Sequence, residues 1–472
     1  VTAHPASQTL LRGYQVEAIN RWTAAGRRGI WEMATGTGKT LTALEAVSPL
    51  VDTGCFVVVI VPGKDLVDQW SAAIKRHNRR ATVVPCSSEF PSWRQRMARV
   101  LMQRHLRPDE RRPTFLVATA ATASSDDFRG VLAPVRSDDV VVVGDEVHRL
   151  GASSWRRAMD INAGAGRLGL SATPQRKWDE AGNRAIARYF GDTVFSYPLE
   201  QALTDGWLCP YEYHVLPVGL EPDERTAYLD LTTRISKLVA TLANIYNLPP
   251  DSFGEIFRMA EAEGNNALEM LLFERADLIK GAVGKLAVVE HVAALPQVDK
   301  CLVYCNEEPQ VDQALSVLRA KRRRAVGYTA GRLEGADRSI ILREFSDGVY
   351  EFAVAIRCLD EGIDIPDCRQ AVILASSKTE REWIQRRGRV LRLAPRKERA
   401  VIYDCIVVPS RLDEDGELMD RINAVEVAIL EGEIARAREF AGASLNMPET
   451  IAKLEDLRCK VFEAAGLGMF AV

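Results

Sequence analysis

The sequence predicts an α/β protein of two doubly wound parallel-sheet lobes, with a helical connector between them and a helical C-terminal tail. Three observations predict it. Apolar runs of strand length alternate with helical patterns through most of the chain. Those runs are apolar on both faces, as strands covered by helices on two sides must be. The 472 residues also exceed what one ordinary hydrophobic core serves, so two or three domains are expected.

In the first half the predicted strands are 29–33, 56–61, 114–119, 140–144 and 168–172. In the second half they are 300–305, 325–328, 352–356, 370–375 and 400–407. Each set with its intervening helices reads as one lobe. The segment from about 221 to 282 differs. YLDLTTRISKLVATLANIY and NALEMLLFERADLIKGAV have helical spacing and many charges, and Pro249-Pro250 breaks between them. The last stretch is again helical (MDRINAVEVAILEGEIARAREFA). The expected division is a first lobe at 1–215, a connector or inserted subdomain at 216–282, a second lobe at 283–412 and a helical extension at 413–472. No internal repeat and no low-complexity tract is evident.

Composition narrows the class. Hydrophobic residues make up 47% and charged residues 26%, a soluble globular mix. No apolar run approaches the roughly 20 residues of a membrane span, so no membrane partner is expected. The start, VTAHPASQTL, has no apolar signal-peptide core and no Met, and translation is expected to begin elsewhere. The nine Cys form no CxxC pair, and Cys301 and Cys305 fall on one face of the apolar run CLVYC. They read as reduced core thiols of a cytoplasmic protein, and neither they nor the six His suggest a zinc site. Net charge is −3, so a nucleic-acid partner needs local basic surface. The candidates are the RRR run at 322–324 and the cluster Arg386, Arg387, Arg389 and Arg392, although a charge run is commonly just a solvated face.

The chemistry begins at MATGTGKT, residues 33–40, which follows an apolar strand and precedes the helical run LTALEAV. That is the setting of a phosphate-binding loop. Gly36 and Gly38 let the backbone of Thr35, Gly36, Thr37 and Gly38 curl so that N–H groups face phosphates, and the helix adds its positive end. Lys39 can reach the β- and γ-phosphates of ATP, and Thr40 can ligate Mg²⁺. The general pattern would place Gly where Met33 stands. The second half of the site is VVVVGDEVHRL, a buried strand ending at Asp145 and Glu146. Strand C-termini of a doubly wound sheet gather ligands, so Asp145 is expected to hold the Mg²⁺ shell and Glu146 to polarise the attacking water.

DEVH at 145–148, with MATGTGKT and SATP at 171–174, resembles the DExH group of superfamily 2 helicases and translocases. The resemblance runs from about residue 10 to 410 with its blocks in the family's order, and it implies RecA-like lobes. LRGYQ resembles the adenine-reading segment, which implies that Gln15 pairs with the base edge with help from Arg12. VPGKDLVDQW, CLVYCNE, IRCLDEGIDIPD and QRRGRVLR resemble motifs Ia, IV, V and VI. By that resemblance Arg389 and Arg392 act as arginine fingers on the γ-phosphate, and Gly362 and Asp364 sense the nucleotide from the second lobe. Ser171, Thr173, His148 and Gln385 couple hydrolysis to movement. Nucleic-acid contacts fall on Pro62, Gly63, Lys64, Thr119, Asn306, Thr329 and Arg357, through sequence-independent phosphate binding.

SATPQRKWDE, LEQALTDGWLCPYEYHVLPV and REWIQRRGRVLR look most like the XPB-like, UvsW-like and restriction-enzyme motors. Where XPB-like proteins carry Arg-Glu-Asp, this chain has Arg176, Lys177 and Trp178. The resemblance implies a nucleic-acid-dependent ATPase, working as a DNA helicase or double-stranded DNA translocase on duplex or branched DNA. It would be the motor subunit of a restriction, phage-defence or repair system. No nuclease cluster is evident, so a nuclease or methylase would be another subunit. An RNA-dependent ATPase of the same fold and an inactive nucleic-acid-binding module are the rival classes.

Overall fold

The computed structural model describes residues 11–466, apart from 107–111, 177–178, 250–251, 330–331, 333–335, 357–367, 375–387, 389 and 414. The described residues form two compact units. The first is the chain up to Leu208 together with Gly388 and Val390 to Arg392. The second is the remainder from Cys209 onward.

The first unit is built on seven parallel strands: β1 (Arg28–Met33), β2 (Phe56–Val61), β3 (Thr82–Cys86), β4 (Thr114–Thr119), β5 (Val140–Asp145), β6 (Gly166–Ser171) and β7 (Thr193–Tyr197). Their order is β3-β4-β2-β5-β6-β1-β7. Every residue of β2, β4 and β5 is buried, which is why FVVVIV and VVVV carry no polar face. Val58, Ile60, Leu116 and Val142 of these strands pack with Phe128 and Phe190 in the main core. Close packing also depends on Gly144, where an added Cβ would lie 2.7 Å from Phe190 Cζ and 2.9 Å from Val147 Cγ1.

The second unit has six parallel strands: β8 (Tyr211–Val218), β9 (Cys301–Cys305), β10 (Ala325–Tyr328), β11 (Phe352–Ile356), β12 (Gln370–Ile373) and β13 (Ala400–Val407). Their order is β10-β11-β9-β12-β13-β8. The expected lobe limit at residue 215 falls inside β8, which pairs with β13 from Tyr211↔Ala400 to Val218↔Val407. Cys301 and Cys305 are buried in β9 as expected.

Three strands escaped the sequence reading, β3, β7 and β8, and all three lie at a sheet edge. An edge strand is covered less completely and tolerates Pro. Pro85 and Pro217 sit in β3 and β8, and β8 alternates buried with half-exposed positions instead of running apolar throughout.

The helical segment comprises Pro222–Tyr246, Phe253–Ala262 and Ala267–Gly281. It has its own small core of Ile235, Leu242, Ile256, Ala260 and Leu268, and clusters with the second unit. The C-terminal helices, Ala424–Ala441 and Met447–Ala464, are tied to β8. Tyr211 Oη donates to the Phe440 carbonyl at 2.6 Å, and Thr450 Oγ1 donates to the Tyr213 carbonyl at 2.7 Å. Among the described residues no helix is long and apolar enough to cross a membrane.

Candidate active site

β5, β6 and β1 are adjacent, so their C-terminal ends deliver three groups of residues to one edge of the first sheet. β1 leads into the glycine loop, β5 ends at Asp145, and β6 ends at Ser171, which pairs with Glu32 of β1.

The loop turns through left-handed backbone at Gly36 (φ +90°) and Gly38 (φ +85°), and helix Lys39–Asp52 starts directly after it. The first N–H groups of that helix have no carbonyl a turn earlier to serve. Lys39 Nζ donates to the Met33 carbonyl at 3.0 Å, so the ammonium lies folded across the loop. Thr37 braces the loop itself. It is fully buried and its hydroxyl donates to the Ala34 carbonyl at 2.7 Å. Thr35 Oγ1 is buried without a hydrogen-bond partner. The loop also touches the QRRGRVLR segment, since a Cβ on Gly36 would lie 3.1 Å from the Gly388 carbonyl oxygen and 3.6 Å from Arg392 Cγ.

Asp145 is buried and held at both oxygens. Trp70 Nε1 donates to Oδ2 at 2.8 Å, and the Glu146 N–H donates to Oδ1 at 3.1 Å. Burial pushes its carboxyl above the ordinary range, while the Trp70 hydrogen bond and the Lys39 ammonium pull it back. Glu146 occupies left-handed backbone (φ +48°) and caps the helical turn Val147–Gly151. Its Oε2 lies 3.4 Å from His148 Nδ1, and that nitrogen is 3.0 Å from Ser171 Oγ. Ser171 Oγ also accepts the Thr173 N–H at 3.1 Å. A chain of polar contacts therefore joins Glu146, His148, Ser171 and Thr173.

Arg176 extends the chain. It donates to the His148 carbonyl at 2.7 Å and pairs with Asp179 at 2.7 Å, while Asp179 also meets Arg156 at 3.2 Å. These contacts with the N–H of Gly182 hold the Asp179 carboxyl below its usual range, the Gly182 bond contributing most.

On the other side of the loop, the Arg12 N–H donates to Gln15 Oε1 at 2.9 Å. Gln15 Nε2 lies 3.5 Å from the Thr37 carbonyl, which also accepts Tyr14 Oη at 2.6 Å. Tyr14 stacks on Tyr197 with centroids 4.0 Å apart, and the Arg12 guanidinium lies 4.0 Å above the Trp207 ring. The Tyr197 carbonyl accepts the Ala34 N–H at 3.0 Å. The two stacked tyrosines thus grip the loop at Ala34 and at Thr37.

A model of the type III restriction enzyme res subunit matches residues 8–176, and a model of the helicase conserved C-terminal domain matches residues 284–394. The chain belongs to the superfamily 2 helicases and translocases. These are ATP-hydrolysing enzymes. The superfamily 2 chain is 25% identical to "DNA 3'-5' translocase XPB2" of Sulfurisphaera tokodaii over 81% of its length and 78% of the relative's. It is 30% identical to the EcoAI type I restriction endonuclease subunit of Escherichia coli over 45% of its length and 24% of that subunit's. Its fold resembles the solved type ISP restriction-modification enzyme LlaBIII bound to DNA. There the TM-score is 0.63 at 17% identity, covering 96% of this chain and 31% of that enzyme. It therefore spans under a third of both restriction enzymes.

In this superfamily 2 enzyme the expected nucleic-acid positions divide between the units. Pro62–Lys64 and Thr119 adjoin one another, because Val61 pairs with Thr119 at the end of their strands. Lys64 pairs with Glu89 at 3.2 Å, and Thr119 accepts the Thr122 N–H as a helix cap. Asn306 follows β9, and Thr329 follows β10 and is buried. Arg357, Gly362, Asp364, Gln385 and Arg389 lie outside the described residues. Of the expected basic run at 322–324, Arg323 is folded inward, pairing with Glu351 at 3.0 Å and donating to the Ala293 and Leu295 carbonyls, while Arg322 and Arg324 are exposed. Sequence reasoning passed over Tyr14, Trp70, Tyr197, Trp207 and Asp179. The first two lie inside quoted motifs, LRGYQ and VPGKDLVDQW, where attention went to the charged and amide residues.

Proposed function

We propose that the chain is an ATP-driven DNA helicase or double-stranded DNA translocase, and the motor subunit of a restriction, phage-defence or repair assembly, with a nuclease or methylase subunit as its partner there. The observation that carries the reading is the polar chain from Glu146 through His148 to Ser171. It links the strand end beside the phosphate loop to the next strand and its loop, a connection that moving along a track requires and bare hydrolysis does not. DNA as the track follows from the likeness to a DNA translocase and to restriction-enzyme subunits.

The residues present fit ATP and Mg²⁺. Gly36 and Gly38 adopt the backbone a phosphate cradle needs, the Thr35 hydroxyl is buried with a bond to spare, and Asp145 faces the Lys39 charge. In this reading the loop N–H groups and Lys39 hold the phosphates. Thr40 and Asp145 hold the metal, which supplies positive charge at the phosphate oxygens. Gln15 and Arg12 read the adenine edge. Glu146 takes the proton of the attacking water. Arg392, with Arg389, neutralises charge building on the phosphoryl oxygens, a contribution of about 10³–10⁵ in rate in other nucleotide hydrolases. Gly362 and Asp364 complete the nucleotide contacts, and Gln385 joins His148 and Ser171 in passing the change onward. A cytoplasmic site accords with eight free cysteines among the described residues.

The test is ATP turnover measured with single-stranded DNA, duplex DNA, forked DNA and RNA. Stimulation by duplex or forked DNA above the other polymers is expected. Stimulation by RNA alone would move the protein to the RNA-dependent class, and turnover absent with all four would make it a binding module.

A further inference from the structure

The charge of this protein is unevenly spread. Residues 75–106 carry eight Lys and Arg against a single acidic residue, Glu89, in a chain whose net charge is −3. The fold gathers this surplus around one feature, the edge strand β3. Helix Lys64–His77 leads into β3 and helix Trp93–Leu106 leads out of it, and both pack against it. Arg76 lies at the end of the first helix, Arg79 and Arg80 in the turn entering β3, and Arg96 and Arg99 on the second helix, and all five are exposed. The second helix, WRQRMARVLMQRHL, contains no acidic residue and is anchored by buried Trp93 and Met97. Nearby, Arg94 pairs with Asp127, and Arg104 is folded inward over Phe56. The acidic residues Asp65, Asp68 and Glu89 gather about the start of the first helix, where Asp68 is raised by burial and by its two neighbours.

We propose that this flank is a second nucleic-acid surface, which holds the phosphate backbone of duplex DNA outside the expected contacts at the strand ends. The inference rests on DNA being the track. Five exposed guanidiniums without carboxylate partners among the described residues repel one another in the free protein, and a polyanion relieves that repulsion. Duplex is favoured over single strands because the large exposed apolar residues of this flank are Met102 and Leu106, and no exposed Phe, Tyr or Trp among its described residues offers a stacking platform for bases. Arginine suits the role, since its planar fork meets phosphate oxygens two at a time.

The experiment replaces Arg79, Arg80, Arg96 and Arg99 together by Ala in the full chain. Binding of a fluorescent duplex is then followed across a salt series, beside ATP turnover with and without DNA. Every phosphate that is no longer neutralised lowers the log–log salt slope by about 0.9, so a fall of about 2–4 is expected, with affinity weakened about tenfold or more. Turnover without DNA and turnover at saturating DNA stay unchanged, while more DNA is needed to reach saturation. An unchanged melting temperature shows that the variant is folded, and Arg96→Lys/Arg99→Lys retains most of the slope. Wild-type turnover stimulated by duplex, with unchanged slope and affinity in the variant, overturns the flank and leaves the motor reading intact. Wild-type protein that ignores every DNA overturns both. Loss of poly-glutamate binding with duplex affinity retained assigns the surface to an acidic protein and overturns the inference.

Discussion

Glu146 and Lys39 carry the sharpest expectations at the scale of single residues. Lys39→Ala removes the ammonium that lies across the loop, and Glu146→Gln keeps shape while removing basicity. Both are expected to abolish DNA-stimulated turnover, and Glu146→Gln should still bind a fluorescent ATP analogue. Hydrolysis retained in Glu146→Gln would take that carboxylate out of the base role. Tyr14 offers a graded test. Its hydroxyl meets the Thr37 carbonyl at 2.6 Å while its ring stacks on Tyr197. Tyr14→Phe removes that buried bond, worth about 0.5–1.5 kcal/mol, together with the one the hydroxyl accepts from Arg12 Nη1 at 3.1 Å, and keeps the stack. The KM for ATP should rise about two- to tenfold with kcat nearly unchanged, measured by steady-state kinetics; an equal fall in kcat would mean that the hydroxyl acts on the chemistry instead. The acidic pair, the glycines and the lysine of this site were legible in the sequence because they fall in two short motifs, MATGTGKT and VVVVGDEVHRL, each built on an apolar strand. The gripping tyrosines were not, because an aromatic residue announces burial and not the carbonyl its hydroxyl will find.

At the scale of elements, the sequence disclosed strands in proportion to how fully they are covered. β2 and β5, buried along their whole length, appear as unbroken Val and Ile, whereas the edges β3, β7 and β8 do not. The C-terminal helices read correctly as helices, yet nothing in their pattern revealed that they dock on β8. Buried polar contacts do that work. Tyr213 Oη donates to Asp404 Oδ2 at 2.5 Å, and Arg436 meets the same oxygen at 3.3 Å. Glu426 closes a second link, accepting from Arg225 of helix Pro222–Tyr246 at 2.5 Å and from the Asn423 N–H at 2.8 Å. Both members of that pair are buried, so removing one strands a charge at a cost of about 3–5 kcal/mol. Glu426→Ala should lower the unfolding midpoint of the second unit by several degrees in calorimetry, whereas Arg225→Met/Glu426→Leu together should recover most of the loss. A double variant as unstable as the single one would show that the pair contributes more than its own neutralisation.

At the scale of the whole molecule, bulk charge was the least informative quantity in the sequence. A net of −3 conceals a basic flank, and in the conspicuous RRR run Arg323 and Arg324 share the single carboxylate of Glu351. Adjacent like charges catch the eye, but charges separated in sequence and gathered by topology make the larger surface. The general class was legible because short motifs in fixed order constrain it. The assembly was not, because the chain spans under a third of the EcoAI subunit and of LlaBIII. Stability, finally, belongs to the molecule as a whole, and the left-handed backbone at Glu146 bears on it. An L-residue pays about 1–2 kcal/mol for that conformation. Glu146→Gly and Glu146→Ala lose the same carboxylate, so the difference between them isolates the backbone. The glycine variant should be the more stable by about 1 kcal/mol, roughly 2–4 °C in a domain of this size, and equal midpoints would mean that the backbone relaxes once the carboxylate is gone. Glycine would thus relieve the backbone at 146 in a form expected not to turn over. At this one position the expectation is a fold that is tense when it works and restful when it is idle.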